Sequence, residues 1–196
     1  MRTAKFNKLE KKYMSWFKDA SHITAMGSNL LAIVFFIFLA LAKLESLNFL
    51  QLALFFFLGV FFWTFIEYLI HRYLFHDFDE KIIGKKFQYM IHGIHHASPN
   101  NTIFIPLMLR ISLLTILFFL FKLLIGIKVF IFFAGFLTGF SIYSFLHFAI
   151  HTIKEPKIFK YLWDHHNAHH YHYPDRAFGT STRIWDVLFR TMPPKS

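Results

Sequence analysis

Long apolar runs and histidine-bearing polar segments alternate along this chain. Met26–Ala42 is uncharged and apolar apart from Ser28 and Asn29, and is long enough to cross a bilayer. A polar break at Lys43–Asn48 leads into Phe49–Ile70, where Gln51, Thr64 and Glu67 are the notably polar residues. These two runs predict a helical hairpin with a tight turn. His71–Thr102 is too polar and too charged to span, and Pro99-Asn100-Asn101 marks a turn. Ile103–Leu124 is apolar again but carries Arg110 near its start and Lys122 near its end, where both side chains can snorkel toward an interface. Gly126–Lys128 predicts a second tight turn, and Val129–Ile150 a further span that ends at His147 and His151. From Thr152 onward the chain is polar. The pattern predicts an all-α integral membrane protein. Four transmembrane helices form two hairpins, and a cytoplasmic helical cap carries the histidine-rich segments.

Charge sets the expected orientation. The formal net charge is +10. In a soluble protein this would suggest a nucleic-acid partner, but the uncharged runs exclude that reading. Lysine and arginine collect at the N-terminus, in 71–102 (Arg72, Lys81, Lys85, Lys86) and in the tail after Thr152. All of these fall on one side of a four-helix arrangement, and only Lys43, Lys122 and Lys128 fall near the other. The excess of positive charge on cytoplasmic loops then puts both termini and every histidine motif in the cytoplasm. Met1–Ala25, basic and interleaved with Tyr13, Met14, Trp16 and Phe17, reads as an interfacial helix or a solvated tail, and 26–196 as one membrane domain. The N-terminus stays polar too long for a cleavable signal peptide. The absence of cysteine excludes disulfides, thiolate metal sites and cysteine nucleophiles.

The histidines change the picture most. Trp163–His172 holds five in ten residues, with the spacing His166-x-x-His169-His170. Residues at i, i+3 and i+4 share a helical face, so the three imidazoles can point the same way. The same spacing occurs at His92, His95 and His96, while His147 and His151 stand at i, i+4. His71 and His76 stand at i, i+5 and share no ideal α-helical face, so the helix is expected to end, loosen or bulge there. Ten histidines in four clusters, in register with the ends of the apolar runs, predict a metal centre. They suit two ions with five imidazoles each, leaving an open octahedral position on each ion. Neutral ligands leave the metal charge uncompensated, so supporting acids are expected, and Glu67, Asp164 and Asp186 are the candidates. His165 and His172 are left as supporting or surface residues. Zinc has no redox chemistry, whereas iron pairs suit oxygen activation. Residues and spacing alone therefore lead to a membrane di-metal oxygenase acting on a lipid.

The segments Glu67-Tyr-Leu-Ile-His-Arg-Tyr-Leu-Phe-His76, His92-Gly-Ile-His-His-Ala-Ser-Pro99, His166-Asn-Ala-His-His170 and Phe178-Gly-Thr-Ser-Thr-Arg-Ile-Trp-Asp186 resemble the fatty acid hydroxylase superfamily. They are most similar to its fatty acid (sphingolipid) 2-hydroxylase branch, from about Trp63 to Pro194. The resemblance implies two iron ions, with zinc able to substitute in purified material, and O2 as co-substrate. It implies hydroxylation of an acyl chain beside its carbonyl. Its implied metal ligands are His71, His76, His92, His95, His96, His147, His151, His166, His169 and His170. It also puts the Phe178–Asp186 segment beside the centre, with Trp185 and Tyr161 as candidates at a substrate entrance.

Two departures stand out. Many members carry a haem-binding cytochrome b5 domain that the N-terminus here lacks, so electrons are expected from a separate donor such as cytochrome b5, a ferredoxin or a reductase. The same absence leans toward a bacterial inner membrane over the endoplasmic reticulum. Asn100 and Asn101 stand where members often have an aspartate. The rival readings are the same centre used as a sterol or carotenoid oxidase or a desaturase, and a histidine-rich metal transporter.

Overall fold

The computed structural model describes residues 22–44, 46–77, 88–97, 99 and 107–194. Most of the basic segment 1–25, the loop lysines 81, 85 and 86, the pair Asn100 and Asn101, and the first residues of the third apolar run lie outside them. Every regular element among the described residues is helical. Helix α1 is His22–Lys43 and α2 is Phe49–Leu69, which continues directly into a π-helical turn, Ile70–Asp77. A second π-turn, Tyr89–Gly93, leads into the short α3, Ile94–Ala97. Then come α4 (Leu107–Ile125), a 3-10 turn (Gly126–Lys128), α5 (Val129–Thr152), α6 (Lys160–Tyr171) and α7 (Ile184–Leu188).

Among the described residues, three stretches are long and apolar enough to cross a membrane: Met26–Lys43, Phe49–His76 and Arg110–Thr152. The third runs for 43 residues and takes in α4 from Arg110 onward, the 3-10 turn and α5. Gly126 makes that turn possible. Its φ of +60° is left-handed, the conformation that ends helices and that a side chain disfavours. Helix α2 begins with a reciprocal cap, in which Gln51 N–H donates to Asn48 Oδ1 at 2.9 Å and Asn48 N–H to Gln51 Oε1 at 3.0 Å.

The described residues form two compact units, one from 16–63 and 104–142, the other from 64–103 and 143–196. In the first, α2 and α5 pack through glycine. A Cβ at Gly59 would overlap the Phe132 carbonyl, one at Gly135 would overlap that of Phe56, and one at Gly139 would stand 2.7 Å from Trp63 Cβ. Small residues let two backbones approach where there is no water to drive association, as in membrane helix pairs. Phenylalanine fills the rest, with Phe36 tilted on Phe118 at 5.2 Å and Phe133 stacked on Phe136 at 5.6 Å. Arg110 finds its partner on α1. It is buried and donates to Ser28 Oγ at 2.6 Å, because burial in an apolar helix forces a hydrogen-bonded partner on a cation.

The second unit holds the histidines. Helix α6 is steadied by Lys160 and Asp164, at i, i+4 and 2.7 Å apart. It stops where His172 and Tyr173 both bond back to the Ala168 carbonyl, just before Pro174. The chain then runs as an irregular strap, Arg176–Arg183, into α7, and the described residues close with Thr191–Pro194.

Candidate metal centre

Ten histidines from five helical segments converge in this unit. They separate into two groups of five. His71, His76, His92, His96 and His169 form one, and His95, His147, His151, His166 and His170 form the other. In each group the candidate ligand nitrogens all lie within 4.8 Å of one another. These are the ten residues singled out by spacing. Their division, however, cuts across the sequence clusters.

The triplets were expected to point their three imidazoles the same way, and they do not. His92 and His96 turn to one group and His95 to the other; His166 and His170 turn to one and His169 to the other. On an α-helix, i+3 and i+4 stand about 100° apart. A helix lying between two clusters therefore supplies its i, i+4 pair to one and its i+3 residue to the other. His147 and His151 stay together at i, i+4 as expected. His71 and His76 also stay together, and the looser winding foreseen at their i, i+5 spacing is the π-turn Ile70–Asp77. One extra residue per turn brings two positions five apart onto one face.

The nitrogens face each other at hydrogen-bond range. Nε2 of His92 lies 3.1 Å from that of His71 and 3.0 Å from that of His96, and Nε2 of His96 lies 3.1 Å from that of His169. In the other group, Nε2 of His147 is 2.9 Å from that of His95, and Nε2 of His166 is 3.1 Å from that of His151 and 3.0 Å from that of His170. A neutral imidazole has one N–H, so such rings cannot all satisfy each other. Nε2 of His76 is buried with no hydrogen-bond partner among the described residues. Converging lone pairs of this kind fit a cation, and five imidazoles suit a first-row transition metal.

Burial keeps the rings neutral and so ready to bind. His92, His95 and His166 are held well below the ordinary histidine range, first by burial and then by neighbouring histidines. His96 falls to about 4 through burial, and His169 to about 2 through burial, His76 and His96, against a smaller upward pull from the Arg176 carbonyl.

Aromatic rings close the site. Phe178 packs edge-on to His71 at 5.8 Å and stands 5.6 Å from both His76 and His169. Phe75 stacks on His92 at 4.7 Å and Tyr143 on His147 at 5.6 Å.

The acids take different parts from one another. Asp186 is fully buried and accepts from Phe178 N–H at 2.9 Å, Gly179 N–H at 2.8 Å, Thr191 Oγ1 at 2.7 Å and His165 Nε2 at 3.0 Å. Glu67 is buried and accepts from the N–H groups of Thr180 and Ser181, at 2.7 and 2.9 Å, and from the Ser181 hydroxyl. Both therefore hold the strap. Asp164 is exposed and engaged with Lys160, so it does not support the histidines as had been expected. His165 is buried on Asp186, and His172 is exposed.

Trp185 donates to Thr64 Oγ1 at 3.0 Å and packs on Phe65 at 4.7 Å. Tyr161 lies under the Arg183 guanidinium and borders an open surface hollow of about 370 Å³ with Thr182, Ile184 and Val187; no histidine lines it. Sequence reasoning missed the backbone carbonyls of Arg176 and Phe178, which accept from Nδ1 of His169 at 2.7 Å and of His71 at 2.5 Å. A carbonyl has no side-chain signature; the one available signal was the Phe178–Asp186 motif itself.

Residues 56–191 match the family model described as fatty acid hydroxylase. Mouse fatty acid 2-hydroxylase is 37% identical over 152 residues, which cover 71% of this chain and 40% of the mouse protein. Dihydroceramide fatty acyl 2-hydroxylase FAH2 of Arabidopsis thaliana is 31% identical over 160 residues, covering 79% of this chain and 67% of that protein. A solved structure of full-length scs7p, in which only the hydroxylase domain is visible, superimposes with a TM-score of 0.77 at 30% identity, covering 88% of this chain and 66% of that one. The chain thus spans less than half the length of the mouse relative. The match takes in all four histidine clusters and the strap. The chain belongs to the fatty acid hydroxylase family.

Proposed function

We propose that this chain is an integral-membrane, O2-dependent di-iron hydroxylase that oxidises a fatty acyl chain at C2, in a free fatty acid or in the acyl group of a sphingolipid. The observation that carries the reading is the pair of five-histidine groups, each with its ligand nitrogens within 4.8 Å. The mouse and Arabidopsis relatives, named for fatty acid and dihydroceramide fatty acyl 2-hydroxylation, favour this substrate over a sterol, a carotenoid or a desaturation. They equally favour an oxidation over metal transport.

The ten histidines are the proposed ligands, five to each ion. Two iron ions held there would let O2 be split, one atom entering an acyl C–H bond and the other leaving as water, with two electrons from a separate donor and two protons from solvent. The residues of this chain do the rest. Burial keeps the imidazoles unprotonated and their lone pairs available. The Phe178 and Arg176 carbonyls hold the Nδ1 protons of His71 and His169 and fix both rings. Phe178 and Phe75 exclude water from one side of the first group.

Gly126 breaks the 43-residue apolar stretch, which supports its division into two spans and a total of four. The distribution of lysine and arginine supports a cytoplasmic position for the histidines and both termini. The relatives named here are eukaryotic, so they lend no weight to a bacterial membrane. The test is lipid mass spectrometry after expression with a matched reductase, alongside iron analysis. The reading predicts 2-hydroxy acyl lipids and two iron ions per chain; an iron-loaded, reductase-coupled chain that forms no hydroxylated lipid would overturn it.

A further inference from the structure

We propose that the two histidine groups are unequal, and that the group of His71, His76, His92, His96 and His169 takes up a divalent metal ion first and more tightly than the other. The proposal rests on the reading that both groups hold metal.

The difference lies at Nδ1. In the first group two rings have this atom tied outward, His71 to the Phe178 carbonyl at 2.5 Å and His169 to the Arg176 carbonyl at 2.7 Å. A carbonyl oxygen only accepts, so in both rings the proton sits on Nδ1. Nε2 is then a bare lone pair turned into the group before any metal arrives. In the second group, His166 and His170 face each other through Nε2 at 3.0 Å, and their Nδ1 atoms are buried without a partner among the described residues.

Each of these rings has one proton for two nitrogens. Without metal, the proton on Nε2 can bridge to a neighbouring lone pair, from His170 to His166 or from His166 to His151. A metal ion needs Nε2 bare. The proton must then move to Nδ1, where it meets no acceptor, and an unsatisfied buried donor opposes the change. Uptake in the second group therefore breaks inward hydrogen bonds and leaves two N–H groups unpaired. Uptake in the first group also ends the inward contacts of His92 with His71 and of His96 with His169, but it leaves no N–H unpaired at His71 and His169, whose protons already meet carbonyls.

The strap that presents the two carbonyls has its own support. Asp186 accepts from the N–H groups of Phe178 and Gly179, and Ala177 N–H donates to the Thr191 carbonyl at 2.8 Å. Ala177 has a left-handed φ of +57°, which its neighbours must hold in place. Asp186 is thus a positioning residue. It reaches no metal-binding nitrogen among the described residues, and acts on His71 through the backbone of Phe178.

The experiment is a metal titration of the full-length chain in nanodiscs. Metal is stripped, Zn2+ is added from a chelator buffer, and bound zinc is counted by mass spectrometry. The wild type is expected to fill in two steps of one ion each, their affinities separated roughly 10- to 100-fold, the range that outer hydrogen bonds to ligands command. Mutual repulsion of two ions could also produce two steps, and the variants separate the causes. His166→Ala with His170→Ala leaves the first group intact, and its ion should bind with the tight affinity. His71→Ala with His169→Ala leaves the second group intact, and its ion should bind with the weak one. If repulsion alone split the steps, both intact groups would bind tightly, and the proposal would be wrong. Asp186→Asn should weaken the tight step by about tenfold or more and leave the weak step in place. A single two-ion step in the wild type overturns the inequality while leaving two metal sites standing. A wild type that binds no zinc overturns both readings.

Discussion

His71 gives its Nδ1 proton to the carbonyl oxygen of Phe178, 2.5 Å away and 107 residues later in the chain. This bond ties the π-turn that follows α2 to the strap that follows α6. Because the acceptor is backbone, its position depends on what packs around Phe178 and on the two carboxylates that fix the strap.

Phe178→Ala keeps that carbonyl and removes a fully buried ring from against His71, His76 and His169. The expected loss is about 3–5 kcal/mol of stability. Phe178→Leu, which retains most of the volume, should recover much of it. Thermal melts of both variants at fixed lipid composition check the order.

Deletion of Tyr73 should rewind the π-turn into α-helix. Tyr73 is exposed, so little packing is lost. With one residue fewer the two histidines stand at i, i+4, a spacing that shares one face on an α-helix as i, i+5 does on the π-turn. Metal analysis should show both groups still filled; loss of one ion would show that the π-turn itself, and not a shared face alone, positions His76.

Histidines outside the two groups should behave differently from those within. His169→Ala should lower bound metal and abolish activity, whereas His172→Ala, at an exposed site, should change neither. His165→Ala should leave both groups' nitrogens in place but cost about 1–3 kcal/mol, because it removes one of the four hydrogen-bond donors of a buried carboxylate. Asp164→Asn should alter stability by no more than about 0.5 kcal/mol, its lysine pair being exposed.

Gly59→Ala and Gly135→Ala each put a methyl group against the backbone of the facing helix, where a backbone atom and not a flexible side chain must move. Each should cost about 1–3 kcal/mol or more by forcing α2 and α5 apart. Gly27→Ala, with open space around its Cβ, serves as the neutral control.

Acid should destabilise the metal-free chain. The folded pKa of His96, about 4, lies below the ordinary value near 6.5, and His92, His95 and His166 shift the same way. Between about pH 6.5 and 4 the unfolded chain therefore binds more protons than the folded one, and stability falls as pH falls through that window. Melting temperature measured from pH 7.5 to 5 should decline, and bound metal should be released over the same range because protons compete for the same nitrogens.

Much of this molecule was legible in its residues. The apolar runs fix where helices form, because a long uncharged segment has no other way to satisfy its backbone in lipid. The clusters fix which histidines matter, since no packed core calls for ten of them at recurring helical spacings. The i, i+5 interval of His71 and His76 foretold a break in the α-helix, and it is a π-turn.

Other features depend on residues far apart in the chain and so arise only in the folded protein. His95 parts from His92 and His96 because its helix lies between two clusters, a fact of position that spacing cannot express. Arg110 is buried on Ser28, 82 residues away, a partner that no local pattern in the sequence names. Asp186 and Glu67 clamp a strap and Asp164 does not, although all three looked alike as acids beside histidine motifs. The bond from His71 to Phe178 was hidden for the same reason. Its acceptor is a carbonyl group that every residue has, and only tertiary packing decided which one would stand 2.5 Å from that ring.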